Sequence, residues 1–466
     1  MKGHFSILLH LFLILALSAC GLNTVNTATP KPSRLPDKNE AKALLVKLVD
    51  EEKRVPGIVV GMIADDPQER WVVGYGKLSD TDERVPDGDT VFEIGSITKV
   101  FTGTLLAHAV VNGEVKLDDP ISLYLPEGVL APEYEGRSIT LLDLATHTSG
   151  LPRMPSNFHP RDESNPYADY TMNQMYDFLS GYRLTRAPGS SFEYSNFGFG
   201  LLGDLLVRRA GEENYEALLV DRITDPLGMN STRIELTAEM RSHLATPHTE
   251  YLLPTNLCPN PGLTGAGGIR STANDLLTFL AANMGMIEPE LQPVFQLANT
   301  SQRPADSFSQ IGYRTESIGL GWYFTSTAKG MIHSHGGAIC GFKSFLAWDP
   351  QRKIGVVVLT NAFRDITDVG FFLMDPPVPV APQVLAAYAG RYKFSNDIVV
   401  TIRVDGTLIF IQAPNQPEYE LVARSENQFT PRVFDAEITF YKNDIGEVDR
   451  LVLVENSGTY EAKKVP

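Results

Sequence analysis

Apolar residues along the chain switch between helical and strand spacing several times. Ala43, Leu44, Leu45, Leu48 and Val49 recur at helical intervals and predict an amphipathic helix starting near Glu40. Two strand-like runs follow, Ile58 to Ala64 and Arg70 to Gly76, with a polar turn between them. A long mixed stretch then holds clear helix starts near Ser96 and at Thr272-Ala273-Asn274-Asp275. Strand runs return at Ser344 to Trp348 and Lys353 to Leu359. Strands near both ends with helices between them predict an α+β body: an antiparallel sheet closed by its termini, flanked by helices, plus a helical lobe. The boundary of that lobe is where a site is expected.

The stretch Asp375-Pro376-Pro377-Val378-Pro379-Val380-Ala381-Pro382 is too rich in proline to pair or coil and reads as a stiff linker. Beyond it the texture becomes short alternating runs: Ile398 to Val404, Leu408 to Gln412, Ile438 to Tyr441 and Leu451 to Val454. Asp405-Gly406 and Asn443-Asp444 supply turns, so this tail is expected to be a small all-β, barrel-like domain. The expected organisation is a leader over 1–19, a flexible tether over 20–39, a body over 40–370, a linker over 371–382 and the β domain over 383–466.

The leader changes the picture of where the protein works. Lys2 precedes the apolar run Phe5 to Leu17, which is too short for a confident membrane span. It ends in Leu17-Ser18-Ala19-Cys20, which resembles a bacterial lipobox and implies cleavage before Cys20 with lipid on its sulfur. The competing reading is an ordinary signal peptide that contains a cysteine. Gly21, in place of an aspartate, points to the outer membrane and periplasm if the cell is Gram-negative. An exported body leaves Cys258 and Cys340 able to form a disulfide, and their sequence positions leave open whether they meet. The net charge of −16 gives a phosphate backbone little to bind, so nucleic acid is not an expected partner.

Ser96-Ile97-Thr98-Lys99 opens an apolar-periodic segment through Val100, Phe101, Leu105, Leu106 and Val110. Helical positions three apart share a face, so Lys99 can reach the Ser96 hydroxyl. A serine needs such a neighbour to become a nucleophile, and burial would lower the lysine pKa enough for it to act as base. The plain alternative is that Ser96 only caps the helix. A second copy, Ser326-Thr327-Ala328-Lys329, runs through a turn between strand-like pieces and reads as a hairpin.

Further motifs give the first copy its context. Pro188-Gly189-Ser190-Ser191-Phe192-Glu193-Tyr194-Ser195-Asn196 lies downstream, and His335-Gly336-Gly337 leads into Gly341-Phe342. With Ser96-x-x-Lys99, these resemble the three motifs of penicillin-recognising serine hydrolases of the class C β-lactamase type, a group that includes D-alanyl-D-alanine peptidases and related esterases. Leu117-Asp118-Asp119-Pro120, Thr146-His147-Thr148-Ser149-Gly150-Leu151-Pro152, Pro226-Leu227-Gly228-Met229 and Gly267-Gly268-Ile269-Arg270-Ser271-Thr272 look like supporting segments of the same family. The likeness extends over roughly Glu40 to Asn361 and rests on the order and spacing of the motifs.

The resemblance implies that Ser96 is the nucleophile, that Lys99 and Tyr194 share the base work, and that the N–H groups of Ser96 and Ala338 form the oxyanion hole. It implies substrate contacts at Asn196, His335, Gly336 and Gly337, with Gly337 letting a substrate pair against the strand edge. Tyr194 as a phenolate would need nearby positive charge, which Lys99 could supply. The third motif departs from the common Lys-Thr-Gly: His335 stands where many relatives have a permanent cation, and Gly336 lacks the hydroxyl that often meets a substrate carboxylate. His147 reads as part of a structural turn, and His333 has no assigned role. Neither His-Glu-x-x-His nor paired Cys-x-x-Cys occurs, so no metal or cofactor is expected. The expected substrate is a β-lactam or a D-alanyl-D-alanine-type peptide of the cell wall. A simple ester is the alternative, and a non-catalytic binding module is the reading from another class.

Overall fold

Eight successive residues from Gly57 to Ala64 are buried, as are all seven from Ile354 to Thr360. A strand with one wet face alternates, so unbroken burial requires cover on both faces. The structure is a computed structural model that describes residues 35–66, 69–305, 309–310, 313–327, 329–431, 436–455 and 458–466. In it these two runs lie at the centre of an antiparallel sheet. Its principal strands are β1 (Gly57–Ala64), β2 (Arg70–Gly76), β3 (Tyr313–Ile318), β4 (Tyr323–Thr327), β5 (Gly330–Ile339), β6 (Phe342–Asp349) and β7 (Ile354–Thr360), in the order β2-β1-β7-β6-β5-β4-β3. β1 pairs with β7 from Ile58 opposite Thr360 to Ala64 opposite Ile354, so the two ends of the body meet at mid-sheet.

Each face has its own cover. The helices that matter here are α1 (Lys38–Val46), α2 (Thr98–Val111), α3 (Asn196–Ala210), α4 (Ala273–Asn283), α5 (Thr367–Met374) and α6 (Pro382–Tyr388). α4 lies on β1 and β7 and carries Phe279, which stacks on Phe101 of α2 at 4.1 Å between ring centroids. The opposite face is covered by α1 and α5, with Phe345 of β6 against Phe371 of α5. α2 is buried almost all round, which accounts for its weak sequence amphipathicity. The second Ser-x-x-Lys sequence falls in the hairpin between β4 and β5, where Thr327 pairs with Gly330.

The tail is a closed barrel of eight strands from Gly390–Phe394 to Gly458–Val465, sealed by pairing of Arg391 with Val465. Tyr392, Phe429, Ile438, Leu451 and Ala462 fill its interior, and α6 adds Tyr388 stacked on Phe440 at 4.3 Å. The four runs expected from alternation are strands. Gly390–Phe394, Glu418–Ala423, Gln428–Pro431 and Gly458–Val465 are strands that alternation did not single out, because polar side chains occupy many of their positions.

Two expected boundaries move. Asp37 caps α1 through the N–H groups of Asn39 and Glu40, so helix already covers 38–39 of the expected tether. α5 runs across the expected linker start at 371, and its last turn is buried in the body. The linker carries a buried contact of its own: Asp375 pairs with Arg424 of the barrel at 3.2 Å. The leader, Cys20 and the tether through residue 34 lie outside the described residues.

Cys258 and Cys340 form a disulfide with 5.9 Å between α-carbons. It joins a loop from the helical lobe to the turn between β5 and β6, closing a loop of 82 residues. Loop closure of that length restricts the unfolded chain. Cys340→Ser is expected to lower stability by about 2–4 kcal/mol, read as a lower urea midpoint with a steeper slope, because the unfolded chain expands.

Candidate active site

The serine sits in a tight turn, Gly95–Ile97, leading into α2. The strand before it, Val91–Glu93, pairs with Arg270–Thr272, and buried Glu93 meets Arg270 at 2.7 Å. The other Glu93 oxygen accepts the N–H of Cys258 at 3.2 Å, which links this turn to the disulfide loop. Gly95 has φ +50°, and a β-carbon there would lie 2.8 Å from the Ala338 nitrogen. Only glycine brings the serine turn and β5 this close. No side-chain cap starts α2, and Ser96 Oγ meets Lys99 and Tyr194 instead, so Ser96 is not the capping serine of the plain alternative.

Lys99 is wholly buried on the first turn of α2. Its Nζ lies 3.0 Å from Ser96 Oγ, 2.9 Å from Asn196 Oδ1 and 2.7 Å from the carbonyl of Ala266. Among the described residues no carboxylate pairs with it. Burial, helped by the charge of Arg153, therefore drives its pKa well below the usual lysine range. A neutral amine has two N–H donors and one lone pair. The amide and carbonyl oxygens take the two donors, which leaves the lone pair facing the Ser96 hydroxyl.

Tyr194 OH is 2.7 Å from Ser96 Oγ. Burial pushes its pKa up to about 12, although the Ser96 hydrogen bond and Arg153 pull the other way. This direction favours the protonated phenol near neutral pH, and Tyr194 OH donates to Ser96 Oγ. Asn196 begins α3, whose cap is Ser195: its Oγ accepts from Gly198 N–H and donates to the Pro152 carbonyl. With Asn196 Oδ1 held by Lys99, its NH2 is the half that faces Met154 and can serve a substrate carbonyl.

The third motif behaves differently from the expectation. His335 is buried and stacked on Tyr323 at 4.8 Å, with Nδ1 bonded to the Gly336 carbonyl at 2.7 Å. Burial, with a further push from Lys99, lowers its pKa to about 3. Buried and held in this way, it offers the site no permanent cation. Gly337 also serves packing, since a β-carbon there would collide with the Ile94 carbonyl and Ser344 Oγ, which bond each other at 2.8 Å. Gly336 keeps open space where a side chain would stand. His333 is buried between Phe324 and Trp348.

Ala338 does stand at the expected place. β4 stops pairing with β5 at Ser334, so the edge of β5 beyond it is open. Cys340 and Gly341, both at positive φ, close a two-residue turn between paired Ile339 and Phe342. Ladder N–H groups alternate between edges, so that of Ala338 faces the open edge beside Gly95 and Ser96.

The model of the Beta-lactamase family fits residues 42–370. The chain belongs to the β-lactamase family. It is thus a serine hydrolase whose body is the family's domain and whose barrel follows it. It is 31% identical over 330 residues to the D-alanyl-D-alanine-carboxypeptidase/endopeptidase AmpH of Escherichia coli, covering 66% of this chain and 82% of that protein. A β-lactamase of Pseudomonas fluorescens is 26% identical, covering 67% and 90%. A solved β-lactamase/D-alanine carboxypeptidase of Yersinia pestis superposes with TM-score 0.62 at 26% identity, covering 71% of this chain and 95% of that one. An octameric penicillin-binding protein homologue of Pyrococcus abyssi, at 22% identity and TM-score 0.64, covers 92% of this chain and 100% of that one, and shares the fold.

Two residues of the site escaped sequence reasoning. His147, at φ +57°, accepts the N–H of Ser195 on Nδ1 at 3.0 Å and packs its ring on Tyr194 at 4.4 Å. Its turn is structural, as expected, but what it structures is the tyrosine. Arg153 stands over the same ring with its guanidinium carbon 4.8 Å from the centroid. No spacing rule connects either residue to Tyr194, since the contact comes from loops more than forty residues apart, as with the separation of 48 between His147 and Ser195.

Lys99 must be neutral to accept the Ser96 proton, and a lowered folded pKa keeps it so far below pH 10.5. Acylation is expected to hold as pH falls from alkaline values and to drop only when pH passes through that lowered pKa. The acid limb of kcat/KM for acylation measures it. A limb at the ordinary lysine pKa would contradict the neutral amine.

Proposed function

We propose that this protein hydrolyses β-lactams or D-alanyl-D-alanine-type peptides through an acyl-enzyme on Ser96. The observation that carries the reading is the double hold on Ser96 Oγ, with Lys99 Nζ at 3.0 Å and Tyr194 OH at 2.7 Å. Ser96 Oγ attacks the scissile carbonyl while its proton passes to the Lys99 lone pair. The N–H groups of Ser96 and Ala338 hold the oxygen as it becomes anionic. Tyr194 gives its proton to the leaving nitrogen and regains one from Lys99, which returns Lys99 to its neutral form. Water then enters, loses a proton to the same pair, and releases the acyl group from Ser96. The relatives named as carboxypeptidase and β-lactamase support both substrate classes.

An ester reading draws on a specific observation as well: His335 is buried and Gly336 bears no hydroxyl, so the strand lacks the usual pair for a carboxylate beside the scissile bond. A binding-only reading leaves the buried, uncompensated Lys99 without a purpose, since it costs stability. The Leu17-Ser18-Ala19-Cys20 sequence supports export and a lipid anchor on Cys20, which would hold the enzyme at a membrane facing periplasmic substrate.

Intact-mass analysis of the full-length protein with a penicillin tests the reading. One adduct is expected on the wild type and none on Ser96→Ala. Persistence over hours marks a peptidase, and disappearance with consumption of the penicillin marks a β-lactamase. No adduct and no consumption would leave esters as the class to assay. Tyr194→Phe is expected to slow acylation about 10²–10⁴-fold in stopped-flow traces, with the fold intact by circular dichroism.

A further inference from the structure

Arg153 is an exposed residue directly after the Thr146–Pro152 turn, and its backbone is pinned to the active site. Its carbonyl accepts the N–H groups of Asn196 at 3.0 Å and Phe197 at 3.2 Å. Its guanidinium lies over the Tyr194 ring at 4.8 Å. An arginine held over an aromatic ring keeps an N–H fork that can take a carboxylate with two bonds. Among the described residues that fork meets no carboxylate and no carbonyl.

Two other guanidiniums near the Tyr194 segment are committed. Arg186 bonds Glu193 at 2.5 Å, and Arg303 bonds buried Asp143 at 2.7 Å. Across the site, β5 offers no cation, because His335 is buried and held to Gly336. The whole chain carries a net charge of −16, a field that disfavours anionic ligands unless a local cation receives them. The charge of Arg153 also reaches the site's working groups, acting on Lys99, Tyr194 and His147 together.

We propose that Arg153 is the carboxylate-binding residue of the substrate site, so that the preferred substrate carries a carboxylate close to its scissile carbonyl. The inference rests on the acyl-enzyme reading above and adds the charge of the substrate. The role that relatives give to the strand motif is here taken by a loop arginine on the rim that also carries Asn196. Arg153 holds the substrate's anion while Ser96 attacks, and Tyr194 beneath it keeps the arginine in place.

The test uses the full-length protein and thioesters of one D-alanyl core in four forms, with carboxylate or carboxamide at the acyl end and at the leaving end. The wild type is expected to prefer a carboxylate at one end by about ten- to a hundredfold in kcat/KM, the range of a charge-assisted hydrogen bond. The preferred end tells whether the anion belongs to the acyl or the leaving half. In Arg153→Gln that ratio is expected to collapse toward one, chiefly through KM, and Arg153→Lys is expected to recover part of it. An unchanged ratio in Arg153→Gln, an equal loss on all four substrates, or no preference in the wild type would overturn the assignment. Mass analysis separates the two levels. Acyl adducts on Ser96 without an Arg153-dependent preference reject only the arginine's role, whereas no adduct from any thioester rejects the acyl-enzyme reading with it.

Discussion

Lys99 is a buried amine that no carboxylate among the described residues neutralises, and much of the body is arranged around that constraint. Charged, it would hold an uncompensated ion in low dielectric; neutral, it needs two acceptors for its N–H groups and a donor for its lone pair. Asn196, the Ala266 carbonyl and the Ser96 hydroxyl supply those three partners. They come from α3, the short helix Thr264–Gly267 and the turn before α2, so three parts of the chain must converge for one side chain to be tolerated. The same burial that strips the proton from Lys99 keeps the proton on Tyr194, raising it to about 12. Two groups moved apart in this way divide the labour of accepting and donating, as acid–base pairs in other sites do.

The serine turn and β5 form a second constraint, one of distance. Gly95 and Gly337 remove the two β-carbons that would hold these backbones apart, and Ser344 ties the Ile94 carbonyl to the sheet. Behind them, Arg270, Glu93, the Cys258 N–H and the disulfide to Cys340 form a continuous link from the serine strand to the turn that ends β5. The proposed oxyanion donors thus rest on a buried ion pair and a covalent bond. The closed barrel meets this body through the linker, where Arg424 reaches Asp375.

Legibility from sequence followed the range of the interaction. Strands buried on both faces, such as Gly57–Ala64 and Ile354–Thr360, announced themselves as unbroken apolar runs. Barrel strands with polar positions, such as Glu418–Ala423, did not, because their partners are set by closure of the whole sheet. Ser96 and Lys99 were readable because helical spacing brings them together locally, and Tyr194 and Ala338 were readable only through motif order. His147 and Arg153 carried no such sign. The burial of His335 was not readable either.

What the sequence by itself determined is the strongly periodic elements and the identity of the chemical groups: periodicity is a local property, and Ser96, Lys99 and Tyr194 announce their chemistry by type and order. Tertiary structure alone decided the protonation states, since pKa depends on desolvation, and desolvation depends on which distant segments close over a group. It also decided that His335 lies against Tyr323, that Cys258 meets Cys340, and that Arg153 reaches the ring of Tyr194. Each is a contact between segments far apart in the chain, whose meeting is set by the packing of the whole body and written in no local pattern.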